Sequence, residues 1–155
     1  MTYTVRTAID ALLSTAAATL SPVPTVRAGE PEIVAEPTVA YWFADWTTWE
    51  ANTLSETQRI SRWGIRLYWP LRQTIAATSG PDIEDWMVAA VSAIDAEMWG
   101  HVGLLGAATG EGAVLSDARI GYADDLQGGQ SRVAEWTLDV FLSNVAPIAV
   151  GGSTP

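Results

Sequence analysis

Two stretches of the chain repeat hydrophobic residues at the spacing of a helix. The first, Val5–Leu20, has them at positions 9, 12, 13, 16, 17 and 20, and the proline-containing segment Ser21–Pro24 ends it. The second, Pro81–Trp99, has acidic residues in its first turn, where the helix dipole favours negative charge. Because residues three or four apart share one side of a helix, both stretches are predicted to be helices that bury an apolar side.

Four other stretches alternate hydrophobic and polar residues, as strands with one buried face do. They are Thr38–Ala44, Arg59–Leu71, Asp117–Ala123 and Ser131–Leu142. The alternation is clearest in the second stretch, where the hydrophobic positions are Trp63, Ile65, Leu67 and Trp69. The positions between them are predicted to form a polar face, and they are Arg62, Gly64, Arg66 and Tyr68.

The order of these elements predicts the fold class. A helix, two or three strands, a second helix and two or three more strands do not alternate strictly, which favours an α+β fold. We expect a mostly antiparallel mixed sheet with two helices packed on one face. A chain of 155 residues fits one domain, taken as residues 1–145, with residues 146–155 as a mobile C-terminal tail.

The connection between the first helix and the first long strand is rich in proline and acid. Its short extended pieces, Thr25–Arg27 and Ile33–Ala35, are expected either at a sheet edge or in an irregular connection, because proline cannot donate a ladder hydrogen bond. Glu30, Glu32 and Glu36 are predicted to make this connection acidic and exposed.

Composition points to contact between macromolecules. The chain has eight tryptophans, no cysteine and one histidine, and all eight of its basic residues are arginine. Trp and Arg are enriched at protein interfaces and Lys is depleted there. The net charge of −10 argues against a protein that holds DNA through its phosphates. The lack of cysteine excludes disulfides and thiolate-bound zinc, and no apolar run is long enough to span a membrane.

The candidates for catalysis and metal binding are weak. His101 has no second histidine or cysteine with which to bind a transition metal. The acid pair Glu84/Asp85 belongs to a helix start, and the pair Asp124/Asp125 belongs to a turn. The glycine-rich stretch Gly103–Gly112 lacks the Gly-Lys-Ser/Thr of a phosphate loop. We therefore expect no catalytic residue, no metal site and no cofactor.

Four residues are candidates for an interface. Trp46 and Trp49 lie in Asp45–Gln58, a polar stretch that is predicted to be a loop. We expect them either to form an exposed contact site or to pack as a local cap on the loop. Arg62 and Arg66 share one strand face, where they pair with acids of the same sheet or of a neighbouring subunit.

The layout of the whole chain resembles that of tail-terminator proteins of long-tailed bacteriophages. The resemblance rests on the order of seven segments: Val5–Leu20, Ser21–Pro37, Tyr41–Phe43, Ile60–Trp69, Pro81–Trp99, Arg119–Tyr122 and Val133–Leu142. No short motif carries it, and no family site residue is transferred to this chain.

The resemblance implies a virion protein that is assembled in the host cytoplasm. It would form a homohexameric ring that caps the tail tube, ends its polymerisation and joins the tail to the head–tail connector protein. The partners would be further copies of the chain, the tail tube protein and the connector, and DNA would pass through the hole without specific binding. Glu30, Glu32 and Glu36 are candidates for the wall of that hole, where negative charge would repel phosphate.

Three alternatives remain open at this point. Another phage neck or tail-tube component would follow the same assembly logic with a different neighbour. A monomeric α+β module would use its aromatic residues to line a pocket for a small ligand. An enzyme would need a site built around His101 or the acid pairs.

Overall fold

The computed structural model describes residues 2–48, 59–71, 82–100 and 112–142. Within these ranges the chain forms two helices and six strands, and it is α+β as predicted. The helices are α1 (Thr2–Ala17) and α2 (Ile83–Gly100). The strands are β1 (Thr25–Ala28), β2 (Thr38–Thr48), β3 (Arg59–Pro70), β4 (Gly112–Leu115), β5 (Arg119–Asp124) and β6 (Gln130–Leu142). No helix in these ranges is long and apolar enough to cross a membrane.

The strands form one mixed sheet in the order β1-β2-β3-β6, and β4 and β5 follow one another along the far side of β6. β1 pairs with β2 in parallel, and every other pairing in the described ranges is antiparallel. The two longest neighbours, β3 and β6, pair over twelve residues from Arg59–Leu142 to Pro70–Ser131. Within the described ranges, the edges of the sheet are therefore β1 on one side and β4 with β5 on the other.

One face of the sheet carries the main core, as the alternation predicted. Trp69 and Trp136 are among the largest fully buried side chains, and Ile65, Leu67 and Leu138 are fully buried with them. Their register explains this arrangement, because directly opposed residues of neighbouring strands point to the same face.

Both helices cover this face. Residues of α1 and of α2 belong to the same hydrophobic cluster as the inner residues of β2, β3 and β6. Asp82 caps α2, because its Oδ1 accepts hydrogen bonds from the backbone N–H groups of Glu84 at 2.8 Å and Asp85 at 3.2 Å. Two indole N–H groups join α2 to its surroundings: Trp86 donates to the Pro22 carbonyl at 3.2 Å, and Trp136 donates to Asp95 at 2.8 Å.

The structure corrects the predicted loop Asp45–Gln58. Residues 45–48 continue β2 and pair with β3 from Asp45–Arg62 to Thr48–Arg59, after a register shift between Phe43 and Asp45. The prediction was wrong for these residues because the backbone ladder, together with the strand preference of Trp and Thr, outweighs a polar composition. Residues 49–58 lie outside the described ranges.

One further difference concerns a short segment. Gly112–Leu115 forms β4, a strand that the alternation of residues did not predict, since four residues are too few to show a period of two. Of the two short extended pieces, Thr25–Arg27 is part of the edge strand β1 and Ile33–Ala35 has no strand partner among the described residues, so each of the two predicted alternatives occurs once.

The second face of the sheet is less polar than predicted. Val34, Ala40, Tyr68 and Val133 form a small second core there. Tyr68, which the alternation placed on a polar face, is only 5% exposed. The proline-rich connection covers it, because Pro31, Val34 and Pro37 are buried at every third position and Glu32, Ile33, Ala35 and Glu36 between them are exposed.

Candidate assembly face and sheet edges

Two arginine–carboxylate pairs lie on the second face of the sheet. Arg62 stands directly opposite Asp139, and Arg66 stands directly opposite Glu135, on the neighbouring strands β3 and β6. Arg62 makes a two-point contact with Asp139, from Nε to Oδ1 at 2.8 Å and from Nη2 to Oδ2 at 3.2 Å. The pairing of these arginines with acids of the same sheet, one of the two predicted alternatives, is confirmed.

Arg66 has the more enclosed environment of the two arginines. Its Nε lies 2.9 Å from Glu135 Oε2, its Nη2 contacts the same oxygen, and its Nη1 lies 3.4 Å from the Tyr68 hydroxyl. Glu30 Oε2 lies 4.0 Å from Nη1. Burial alone would lower the pKa of Arg66, but the hydrogen bonds to Glu135 and Tyr68 outweigh it and the pKa is raised. Arg66 is therefore held as a cation by its own sheet.

Aromatic side chains flank the same guanidinium. The Arg66 Cζ lies 5.6 Å from the centre of the Trp42 ring and 5.7 Å from that of Tyr68, within the range of cation–π attraction. Trp42 occupies this place because it lies across Gly64, where a Cβ atom would come within 2.6 Å of the indole. Sequence reasoning did not select Trp42; the signal was a glycine in the middle of a strand, which often marks such a close approach.

The three acids of the connection are exposed, as predicted. The connection lies on the second face, since Val34 packs beside Tyr68 and Val133. Glu30 lies close to Arg66, and Glu36 accepts a hydrogen bond from the Thr25 hydroxyl at 3.0 Å. Arg62 and Arg66 are matched by Asp139 and Glu135. Arg27 and Arg119 point to the same face, because they stand opposite Ala40 and Glu135, and the three acids of the connection outnumber them, so the face has a small excess of negative charge. We call this surface the acidic face.

Of the two tryptophans predicted for an interface, only Trp46 lies in the described ranges. Trp46 belongs to β2, where its backbone stands opposite Ser61 of β3. Trp49 lies outside the described residues. The structure thus brings Arg62 and Arg66 together on one face, and it joins Glu30 to them.

One member of each acid pair has a structural role. Glu84 contacts Arg132 through both carboxylate oxygens at 3.0 Å, and this hydrogen bonding lowers the pKa of Glu84. Asp125 Oδ1 accepts from the N–H groups of Gln127 at 2.9 Å and Gly129 at 2.8 Å. Its Oδ2 accepts from the N–H of Val34 at 3.1 Å, so Asp125 also ties the proline-rich connection to the β5–β6 turn.

The edge strands carry features that sequence reasoning did not select. On β5, Ile120 is 48% exposed and Tyr122 is 61% exposed. Arg27 of β1 and Arg119 of β5 are exposed and have no ion-pair or hydrogen-bond partner for their side chains among the described residues. Each edge of the sheet thus presents an exposed arginine that makes no ion pair with a described residue.

The described residues contain no group of three His, Cys, Asp or Glu side chains that could hold a metal ion. A cavity of about 180 Å³ lies beside Arg66 and Tyr68, between the connection and the β5–β6 turn. His101 and the stretch Gly103–Gly112 lie outside the described ranges.

Comparison with known proteins adds no family to this description. The chain matches no protein-family model, and a search of curated proteins finds no sequence similar to it.

Proposed function

We propose that this protein is a ring-forming tail terminator of a long-tailed bacteriophage. Copies of the chain would form a hexameric ring on the end of the tail tube. The ring would stop tube growth, join the tail to the head–tail connector protein and let DNA pass through its hole. The protein would act by contact alone, with no cofactor and no catalytic residue.

The observation that carries the proposal is the division of the sheet into two unlike faces. Both helices cover one face, and the other bears the paired arginines and the excess of exposed acids. A wall around DNA needs such a surface, since negative charge repels phosphate and leaves the duplex free to slide. The helices and strands in the described parts of the seven resemblance segments also support the proposal.

The sheet edges are a second support. A closed ring needs two different surfaces on each copy, one for each neighbour. β1 and β5 are different, exposed and located on opposite sides of the subunit.

Electron microscopy of the purified protein, alone and mixed with the tail tube protein of the same phage, tests the proposal. We expect rings with six-fold symmetry, free or at one end of each tube, and tubes that stop growing once the protein is added. Tubes that elongate at an unchanged rate, together with a protein that stays monomeric in their presence, would contradict it. Long filaments of the protein alone would identify a tube component instead.

A further inference from the structure

We propose that neighbouring copies join edge to edge, with β5 of one copy paired antiparallel to β1 of the next, so that their sheets form one continuous barrel. This inference rests on the proposed ring and names the contact that closes it. The occupant of each exposed edge is thus a second copy of this chain.

The strand directions determine the geometry of such a contact. β1 is parallel to β2, and each later step across the sheet, to β3, β6 and β5, reverses direction. β1 and β5 therefore run in opposite directions within one copy. Copies placed side by side in the same orientation bring β5 next to an antiparallel β1, with all helices on the same side of the joined sheet.

The charges at the two edges complement one another. β5 begins with Arg119 and ends at Asp124, which Asp125 follows, whereas β1 contains Arg27 and is followed by Glu30. Antiparallel pairing places Arg119 beside the segment that holds Glu30 of the neighbouring copy. It also places Arg27 of that copy toward the Asp124 end of β5. The contact would thus bring an acidic segment toward each edge arginine, and neither arginine makes an ion pair with a described residue of its own copy.

On the helix side, β5 carries exposed side chains and the β1 edge lies beside a recess. Ile120 and Tyr122 point to this side, because they stand opposite Ala134 and Arg132 of β6. At the other edge, a recess of about 340 Å³ lies between α1 and β2, lined by Arg6, Thr7, Asp10, Ala11 and Tyr41. Ala28 of β1 pairs with Tyr41, so the recess opens beside the edge strand. Exposed apolar side chains of one copy would therefore enter the recess of the next.

The size of the closed barrel suits its proposed role. Each copy contributes five strand positions across the sheet. At about 4.8 Å per strand, six copies give a circumference of about 144 Å and a diameter of about 46 Å, which strand tilt would increase. Side chains would fill about 5 Å on each side, half the distance between packed sheets. The remaining hole is wider than a DNA duplex, and with the bulky helices outside, the acidic face lines it.

Charge reversal at each edge, in the full chain, tests the contact. We expect Arg119→Glu and Arg27→Glu each to raise the protein concentration needed for ring formation at least tenfold, measured by native mass spectrometry and sedimentation velocity. Both side chains are exposed and without described partners, so circular dichroism should show unchanged folding. The double variant Thr15→Glu/Ala96→Glu is the control, because it adds the same negative charge on exposed helix positions away from the edges.

Mixing the two variants distinguishes head-to-tail contact from other arrangements. Each retains one intact edge, so an equimolar mixture should form one-to-one dimers that do not grow into rings. If wild type forms rings that neither reversal weakens, the edges are not the contact, and the proposed function stands without this inference. If Arg119→Glu abolishes assembly and Arg27→Glu does not, β5 pairs with itself and the inference is wrong. If wild type forms no ring with or without tube protein, the proposed function itself fails.

Discussion

At the level of single residues, Gly64 controls the shape of the acidic face. It stands opposite Trp42 in the β2–β3 pairing, and the indole lies across the place that a side chain would occupy. The same indole flanks the guanidinium of Arg66. A residue without a side chain therefore determines where an aromatic ring lies against a charged pair.

Replacing Gly64 with alanine should destabilise the protein. The new Cβ would lie 2.6 Å from Trp42 Cε2, so the ring must move or the strand must shift. Such overpacking typically costs about 1–3 kcal/mol in the free energy of unfolding, which urea denaturation measures. Gly121→Ala is the matched control, because nothing lies within 4 Å of its Cβ position on β5. Equal stability of the two variants would show that Trp42 does not need the glycine.

The sequence could predict some of these residues and not others. The alternation along β3 placed Arg62 and Arg66 on one face, because a strand fixes the side to which each side chain points. Their partners Asp139 and Glu135 depend on the register between β3 and β6, which the pattern does not reveal. Arg27 and Arg119 were missed for a related reason, since the order of strands across the sheet decides which of them lie at an edge.

At the level of elements, one hydrogen bond joins α1 to β2 below the helix. The Tyr41 hydroxyl donates to Asp10 Oδ2 at 2.6 Å, and the Tyr41 side chain is among the largest fully buried ones. Burial raises the pKa of Tyr41 above its ordinary value of 10.0, and the hydrogen bond to Asp10 adds to this. The folded protein therefore holds this proton more tightly than the unfolded chain does.

The stability of the protein should fall in alkaline solution. Because the folded-state pKa of Tyr41 is raised, its contribution to stability is complete below pH 10.0 and is lost as the pH rises through the folded-state pKa. Burial also raises the pKa of Tyr68, so both tyrosines act in the same direction. Urea denaturation between about pH 8 and pH 11 should show a smaller alkaline loss in Tyr41→Phe than in wild type. Tyr122→Phe, whose ring is exposed, is the control; a Tyr41→Phe profile that matches wild type would contradict the assignment.

The elements were predictable where they were long enough to show their hydrophobic period. Both helices and the paired strands β3 and β6 have enough residues to show a clear period, and their inner faces were predicted correctly. The continuation of β2 through Asp45–Thr48 was not predictable from a polar composition, since pairing with Arg59–Arg62 supplies its hydrogen bonds. The burial of Tyr68 was also missed, because the residues that cover it belong to a connection far away in sequence.

At the level of the whole molecule, the net charge of −10 is partly concentrated on the acidic face, in agreement with the proposed function. Arg62 and Arg66 are neutralised within the sheet, whereas Glu32 and Glu36 are exposed on the same side. A surface with this excess of negative charge repels the DNA backbone over roughly a Debye length, which is about 8 Å at physiological ionic strength.

The wild-type protein should therefore not retain duplex DNA at physiological salt. The double variant Glu32→Lys/Glu36→Lys should acquire binding that weakens as salt is added, because lysines on this face would replace counterions at the phosphates. Fluorescence anisotropy of a labelled duplex measures DNA binding by the wild-type protein and by the variant. The control variant Asp85→Lys/Glu97→Lys makes the same change in net charge on α2. It should bind the duplex less tightly than Glu32→Lys/Glu36→Lys does. Tight binding by wild type would contradict a repulsive lumen.

The direction of the strands gives the subunit two distinguishable poles. Thr48 pairs with Arg59, and Arg59 pairs with Leu142, so β2 and β6 end where β3 begins. The turn between β5 and β6 lies at the opposite end, where Leu126 is 79% exposed. A gold label coupled to a cysteine at position 126 and a fusion placed after Leu142 would therefore mark opposite rims of an assembled particle. If the protein forms the proposed ring on a phage tail, their positions in micrographs would reveal which rim is oriented toward the head.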